Sequence, residues 1–322
     1  MKHVVAGIDI GGTTTTVGLV DATGHIHAKQ TYHSGQITTL PDYLAQLRRV
    51  VTTLAHQHGA EIEAVGVGAP AANHRTGTIR ASNLKWAYGI PFAEALAEDY
   101  HLPIALDNDA NATAIGEMHF GAAQSYRDFI LVTLGTGLGS GIVSNGEVIY
   151  GHDGLAGELG HICVDRNGRD CGCGRKGCLE TYVSANGLKR TVFELLAHRT
   201  TPSPLRDVSY SALSARQVSE AAKAGDAIAL EAFEQVGELL GLKLADAVAH
   251  TSPQAIILFG GLANAGRLLF EPTIRSLRKH QLFLYNPDLP ILPSALPQAD
   301  AAVLGAAAIA WQKIRKSDHV LL

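Results

Sequence analysis

The chain has 322 residues, a formal net charge of −4 and a hydrophobic content of 46%. That length and apolar content suit two cores of ordinary size, and the charge balance excludes the basic face of a nucleic-acid binder. No apolar run reaches the ~18 residues of a membrane span, and the opening MKHVVAGIDIGG lacks a leader pattern, so a cytoplasmic protein is expected.

Val4–Ile10 is predicted to be a buried strand that stops at Gly11-Gly12. Thr14–Val20 and His25–Tyr32 follow across the turn Asp21-Ala22-Thr23-Gly24, which completes a β-meander. Apolar residues at Leu40, Leu44, Leu47, Val51 and Leu54 recur at helical spacing, giving a helix over Leu40–His58. Ala64–Val67 reads as a strand and Phe92–Tyr100 as a helix; Trp86 and Trp311 read as packing residues. The strand Leu102–Leu106 delivers Asp107-Asn108-Asp109 at its end, and an Ala-rich helix continues over Ala110–Phe120. A second meander then follows, with strands Phe129–Leu134, Gly139–Ser144 and Glu147–Tyr150 and a hairpin turn at Ser144-Asn145-Gly146. The remainder reads as a helical tract over Ser184–His250, a strand Ala255–Phe259 ending in Gly260-Gly261, a short strand at Ile291-Leu292 and a closing helix Ala301–Lys316. The chain therefore reads as two α/β domains around a cleft, 1–120 and 121–300, with the closing helix returning to the first.

Each half opens with a hairpin whose turn is rich in Gly and Thr: Gly11-Gly12-Thr13-Thr14 in the first, Gly135-Thr136-Gly137-Leu138-Gly139 in the second. Such turns present backbone N–H groups and hydroxyls to phosphate oxygens with no bulky side chain in the way. Two of them, with Gly260-Gly261, suit a nucleotide triphosphate such as ATP, and Asp9 is placed to hold Mg2+. The pattern is neither a P-loop nor a dinucleotide fingerprint, because no Gly-Lys-Ser/Thr follows and the first turn leads into a strand. Asp109 lies at a strand-to-helix junction, where a carboxylate can take a proton from an attacking hydroxyl. The competing role there is helix capping, and Asp107 or Asn108 can cap while Asp109 acts as base.

His161, Cys171, Cys173 and Cys178 form a Cys3His set with zinc-site spacing inside segment 161–178, among glycines that let the backbone wrap an ion. A pair of disulfides is the alternative; cysteines confined to one segment of a leaderless chain argue against it. Cys163 is left over, as a spare thiol or an alternative ligand. Glu158 and Glu180 flank the set. With Asn83, Asn108 and Asp109 they supply the planar carboxylates and amides that bind a polyol, and His161 offers its second ring nitrogen. Their alternative roles are solvated charge or support of the metal.

The motifs at Asp9–Thr15, Thr133–Gly141, Gly157–His161 and Cys171–Glu180 together resemble the ROK family of repressors, open reading frames and sugar kinases, over essentially the whole chain. The resemblance implies an actin-like (ribonuclease H-like) ATPase fold with a structural zinc site. It implies Asp109 as general base and a sugar held by Asn83, Asn108, Asp109, Glu158, His161 and Glu180, with Gly66–Asn73 edging it. The implied activity is ATP-dependent phosphorylation of a hexose, glucokinase-like at the 6-hydroxyl of glucose, in a homo-oligomer (dimer or tetramer). N-acetylmannosamine, mannose, allose and fructose are the alternative hexoses, and Pro70-Ala71-Ala72-Asn73 departs from the usual Pro-Gly. A repressor is disfavoured because only eight residues precede Asp9, and a degenerate sugar-binding protein because Asp9, Asp109 and both glycine turns are intact.

Overall fold

The computed structural model describes residues 2–81, 84–86 and 89–320. Its contacts cluster into two compact units. One comprises Met1–Ser125, Val148–Ala156 and Ala295–Leu322; the other comprises Tyr126–Glu147 and Gly157–Ser294.

The first unit is built on β1 (Lys2–Ile10), β2 (Thr14–Val20), β3 (Ile26–His33), β4 (Ala60–Ala69) and β7 (Ile104–Asn108), with the short pair β5 (Ala72–Asn73) and β6 (Thr78–Ile79) beside them. The sheet order is β3-β2-β1-β4-β7. β1–β2 and β2–β3 are antiparallel, whereas β1–β4 and β4–β7 are parallel. β1 and β4 read as near-continuous apolar runs because helices cover both of their faces. On one face, Val4, Ile8 and Ile10 share a core with Tyr43 and Leu47 of α1 (Leu40–His58) and Phe92 and Leu96 of α2 (Phe92–Tyr100). Trp86 lies in that core, stacked on Tyr43 at 3.9 Å between centroids. The other face carries α8 (Ala301–Val320), which also packs along α3 (Asp109–Phe120).

The close seat of α8 has a sequence cause. Gly18, Gly7 and Gly66 are consecutive partners across β2, β1 and β4. A Cβ at Gly66 would lie 1.8 Å from the Ala306 carbonyl oxygen, and one at Gly7 2.4 Å from that of Val303. α8 answers with small residues, and Gly305 meets Gly116 of α3.

The second unit repeats the design with β8 (Phe129–Leu134), β9 (Leu138–Ser144), β10 (Glu147–Val148), β11 (Ala255–Phe259) and β12 (Ile291–Pro293), in the order β10-β9-β8-β11-β12. Again the hairpin is antiparallel and the later strands are parallel. Its core joins β8 and β11 to α4 (Ala185–His198), α5 (Ala215–Lys223) and α6 (Ala227–Thr251). The expected helical tract 184–250 is thus three helices. Pro202, Pro204 and a serine-rich stretch interrupt it, and Ser214 restarts it with a capping box. α7 (Arg267–His280) has no counterpart in the sequence reading. It carries an internal proline, and Pro272 packs where Gly237 of α6 leaves room, with a hypothetical Cβ only 2.5 Å away. The expected strand over 147–150 ends at Val148, and the strand before Asp107 runs on to Asn108.

The glycine stripe gives a direct test. Gly66→Ala forces α8 off the sheet and is expected to cost about 2–3 kcal/mol, the scale of overpacking a filled core. Gly68→Ala, whose Cβ would meet only the Ala112 methyl at 3.6 Å, is expected to leave the urea unfolding midpoint of the first unit nearly unchanged.

Candidate active site

In the first unit, parallel strands bring functional residues to one edge of the sheet. Asp9 of β1 pairs with Gly68 of β4, and Gly68 pairs with Asp107 of β7. The turn between β1 and β2 closes by a bond from Gly11 N–H to the Thr14 carbonyl at 2.9 Å. The Thr13 carbonyl accepts from Ser34 N–H and Gly35 N–H, both at 3.0 Å. Behind the turn, the buried Thr15 hydroxyl meets Ser34 and the Tyr43 hydroxyl, each at 2.9 Å. Thr13 itself faces solvent.

α3 begins at Asp109, and its N-cap is Asn108, whose side-chain oxygen accepts from Ala110 N–H at 2.9 Å. Capping therefore falls to Asn108, while Asp109 occupies the first turn, where the helix dipole favours an anion. Asp109 keeps solvent access, yet protein atoms crowd it enough that desolvation holds its carboxyl above the usual range, against the pull of the Ala110 N–H. Asp9 is pushed up to about 6, first by burial and then by the charge of Asp109. The charge of Asp109 thus adds to the cost of ionising Asp9, an environment that a divalent cation relieves. Asp107 is fully buried. It accepts from the Tyr150 hydroxyl at 2.6 Å, Asn108 N–H at 2.7 Å and the Asn111 amide at 3.1 Å.

In the second unit, the turn between β8 and β9 closes by a bond from Gly135 N–H to the Gly137 carbonyl at 3.0 Å. Its flanks are tied by Gly139 N–H to the Thr133 hydroxyl at 3.1 Å and by Leu138 N–H to the Glu180 carboxylate at 3.2 Å. Gly260, at φ +105°, lies against Leu134, with a hypothetical Cβ 2.6 Å from its carbonyl oxygen. That contact brings Gly260-Gly261 to the same edge of the sheet, since β11 runs beside β8. A cavity of about 370 Å³ opens beside the turn, lined by Thr136, Gly137, Glu180, Asn186 and Arg190 among others.

The ligand atoms of His161, Cys171, Cys173 and Cys178 all lie within 4.8 Å of one another. Cys171 Sγ is 3.7 Å from His161 Nδ1 and Cys173 Sγ 3.6 Å from Cys178 Sγ. Tetrahedral zinc with Zn–S bonds of ~2.3 Å implies ligand separations of about 3.5–3.8 Å, so the donor set fits that ion. All four cysteines are free, and the 3.6 Å between Cys173 Sγ and Cys178 Sγ is the spacing of ligands and not of an S–S bond. Cys163 stands outside the cluster, 3.9 Å from the Lys176 carbonyl. Burial and the neighbouring thiols push Cys171 up to about 12, a conflict that a cation's charge reverses.

Glycines fit this loop to the sheet. A Cβ at Gly160 would strike the Leu138 carbonyl oxygen at 2.2 Å, and Gly157, at φ +94°, leads into Glu158, which is exposed. Ser140 of β9 holds the segment by accepting Leu159 N–H at 3.1 Å and donating to the Gly157 carbonyl.

Asn83 lies outside the described residues. The other expected residues fall into two groups. Asp9, Gly11–Thr14, Asn108 and Asp109 share the first unit; the cysteine cluster, Glu158, Glu180, Gly135–Gly139 and Gly260-Gly261 share the second. Sequence reasoning missed Arg169. Its guanidinium is nearly buried, donating to Thr181 and Gly187 carbonyls at 2.7 and 3.1 Å, pairing with Glu194 and sitting 4.3 Å over the Tyr182 ring. It fastens the cysteine loop to α4; in the sequence Arg169 is one of three arginines in the segment, with Arg166 and Arg175, and nothing there separates it from a solvated residue.

The raised carboxyl of Asp9 carries a stability consequence. Its folded value lies above the unfolded 3.8, so stability is lost as pH rises from about 4 through 6. Asp9→Asn is therefore expected to stabilise the ligand-free protein at pH 8 by about 1–2 kcal/mol after solvent screening, with the gain shrinking as pH falls toward 4.5. Urea unfolding across that range measures it.

Known proteins resemble this chain over nearly its whole length. The sequence profile of the ROK family matches residues 5–313. The glucokinase of Thermotoga maritima is 33% identical over 323 residues, covering 97% of this chain and 99% of that protein. The glucokinase of Halalkalibacterium halodurans is 36% identical over 275 residues, 83% of this chain and 82% of its own length. Among solved structures, a ROK family glucokinase from Streptomyces griseus, in complex with glucose and AMPPNP, superposes with a TM-score of 0.79 at 33% identity, covering 96% of this chain and 99% of that one. With its two repeated α/β units and a match along nearly its whole length, the chain belongs to the ROK family.

Proposed function

We propose that this chain is an ATP-dependent hexose kinase that phosphorylates the 6-hydroxyl of glucose. The observation that carries the reading is the pair of carboxyls beside the first Gly/Thr turn: Asp109 at the start of α3 and Asp9 at the end of β1, both raised first by desolvation. A carboxylate with a raised pKa is matched to taking a proton from a sugar hydroxyl near neutral pH. Asp109 is the base. The sugar contacts are Asn83, Asn108, Asp109, Glu158, His161 and Glu180, whose carboxylates and amides meet paired hydroxyls.

The turns Gly11-Gly12-Thr13-Thr14 and Gly135-Thr136-Gly137-Leu138-Gly139, with Gly260-Gly261, hold the phosphates through backbone N–H groups, and Asp9 holds Mg2+. When bound, Mg2+ neutralises charge on the phosphates during transfer, and the protein's share of the work is positioning and electrostatics. Zinc is held by His161, Cys171, Cys173 and Cys178 in a closed set with no open position, which suits a structural role. The chain acts in the cytoplasm as a homo-oligomer. Leu282, Phe283 and Leu284 support self-association, being 52%, 93% and 75% exposed beside α7.

Asp109→Ala is expected to lower turnover about 10²–10⁴-fold while sugar binding, measured by calorimetry, persists. Near-normal turnover would remove Asp109 as base. A panel of hexoses under saturating MgATP, ranked by kcat/KM, tests the choice of glucose, and a higher value for another hexose would replace it. Cys173→Ala is expected to release the metal and to lower both melting temperature and sugar affinity. Elemental analysis of the purified protein should find about one zinc per chain, as a closed four-ligand site requires.

A further inference from the structure

We propose that Tyr150 and Asp107 are a positioning pair for Asp109: the hydroxyl–carboxylate bond between them sets the direction in which the base projects. The proposal rests on the reading of Asp109 as the base. Asp109's own side chain is bonded to the adjacent Ala110 N–H at 2.8 Å, so its direction follows the backbone of the β7–α3 junction. That junction is held from one residue pair upstream. Asp107 is 1% exposed and uses both oxygens: Oδ1 takes Asn108 N–H at 2.7 Å and the Asn111 amide at 3.1 Å, while Oδ2 takes the Tyr150 hydroxyl at 2.6 Å. Asn111 lies one turn into α3, so the carboxylate locks the last strand residues to the first helical turn. The bond to Tyr150 is the one long-range contact of the three.

Tyr150 is itself placed with care. It belongs to segment 148–156, which returns to the first unit before the chain enters Gly157-Glu158. Residues 73–75 hold that segment. The Asn73 amide donates to the Asp153 carbonyl at 2.7 Å, Arg75 donates to the Gly151 carbonyl at 3.3 Å and to His152, and the His74 ring stacks on Tyr150 at 4.3 Å and 7°. Removing only the hydroxyl leaves a buried carboxylate oxygen without that bond, with the His74 ring nitrogen 3.9 Å away. The junction then relaxes, and a shift of about 1 Å in a reacting group costs on the order of 10²-fold in rate. The ring also borders a cavity of about 830 Å³ with Ile104, Ile115 and Ile309, so a small aromatic can reach its place.

The test uses the 322-residue chain with MgATP and glucose, with Asp109→Ala in the same assay. Tyr150→Phe should lower kcat at least tenfold, leave KM for ATP within twofold and retain the wild-type circular dichroism spectrum. Tyr150→Ala should regain at least tenfold in kcat with added phenol and should not respond to toluene, which supplies the ring without the hydroxyl. A kcat within twofold of wild type for Tyr150→Phe, no rescue by phenol, or equal rescue by toluene would overturn the proposal. Full activity of Asp109→Ala would instead remove the reading of the base on which it stands.

Discussion

One hydrogen bond joins the two most distinctive parts of the sequence: the Leu138 N–H, in the glycine turn, donates to the Glu180 carboxylate two residues beyond the last cysteine. The fit is mutual. A Cβ at Gly137 would lie 2.4 Å from the same carboxylate oxygen, so the turn must be glycine where the acid must reach. The other oxygen of Glu180 takes the Cys171 thiol at 3.5 Å. The cysteine loop, the acid and the turn therefore form one mechanical piece. A single such bond contributes about 1 kcal/mol, whereas a structural zinc site contributes on the order of 10 kcal/mol. Held by an ion, the loop is stiff enough to fix the turn; without one, three crowded thiols and a carboxylate compete for the same space.

The first unit reaches the same end through packing. Its sheet has the same order and strand directions as that of the second, the duplication of the actin-like ATPase fold. Stiffness comes instead from the close seating of α8 on Gly7 and Gly66 and from the buried Asp107 at the β7–α3 junction. Both units end their hairpins in a Gly/Thr turn beside a carboxylate; in the second, Gly137 is required by Glu180, whereas a Cβ at Gly135 would meet open space. The cost is a pair of carboxylates, Asp9 and Asp109, held near each other against solvation. Such strain is typical of sites arranged for a charged partner.

The α/β fold class, both meanders, both glycine turns, the Asp107-Asn108-Asp109 junction and the Cys3His set were legible because each rests on local pattern: alternation, glycine pairs, capping residues and ligand spacing. What was missed depends on contacts remote in sequence. Arg169 reads as a surface residue until Thr181, Gly187 and Glu194 surround it. Tyr150 reads as the end of a strand, although the strand stops at Val148 and the ring turns toward Asp107. α7 escaped notice because Pro272 sits inside it, and only the glycine face of α6 explains why the proline is tolerated. Pro202 and Pro204 mark the break in the tract 184–250.

Amide hydrogen exchange at Leu138 and Gly139, compared between the metal-loaded and chelator-treated protein, tests the link between knuckle and turn most directly. The account predicts that both amides are protected when the metal is present and that Leu138, whose N–H faces Glu180, loses protection first on its removal. Equal protection of Leu138 with and without the metal, in a chain that remains folded, would contradict it.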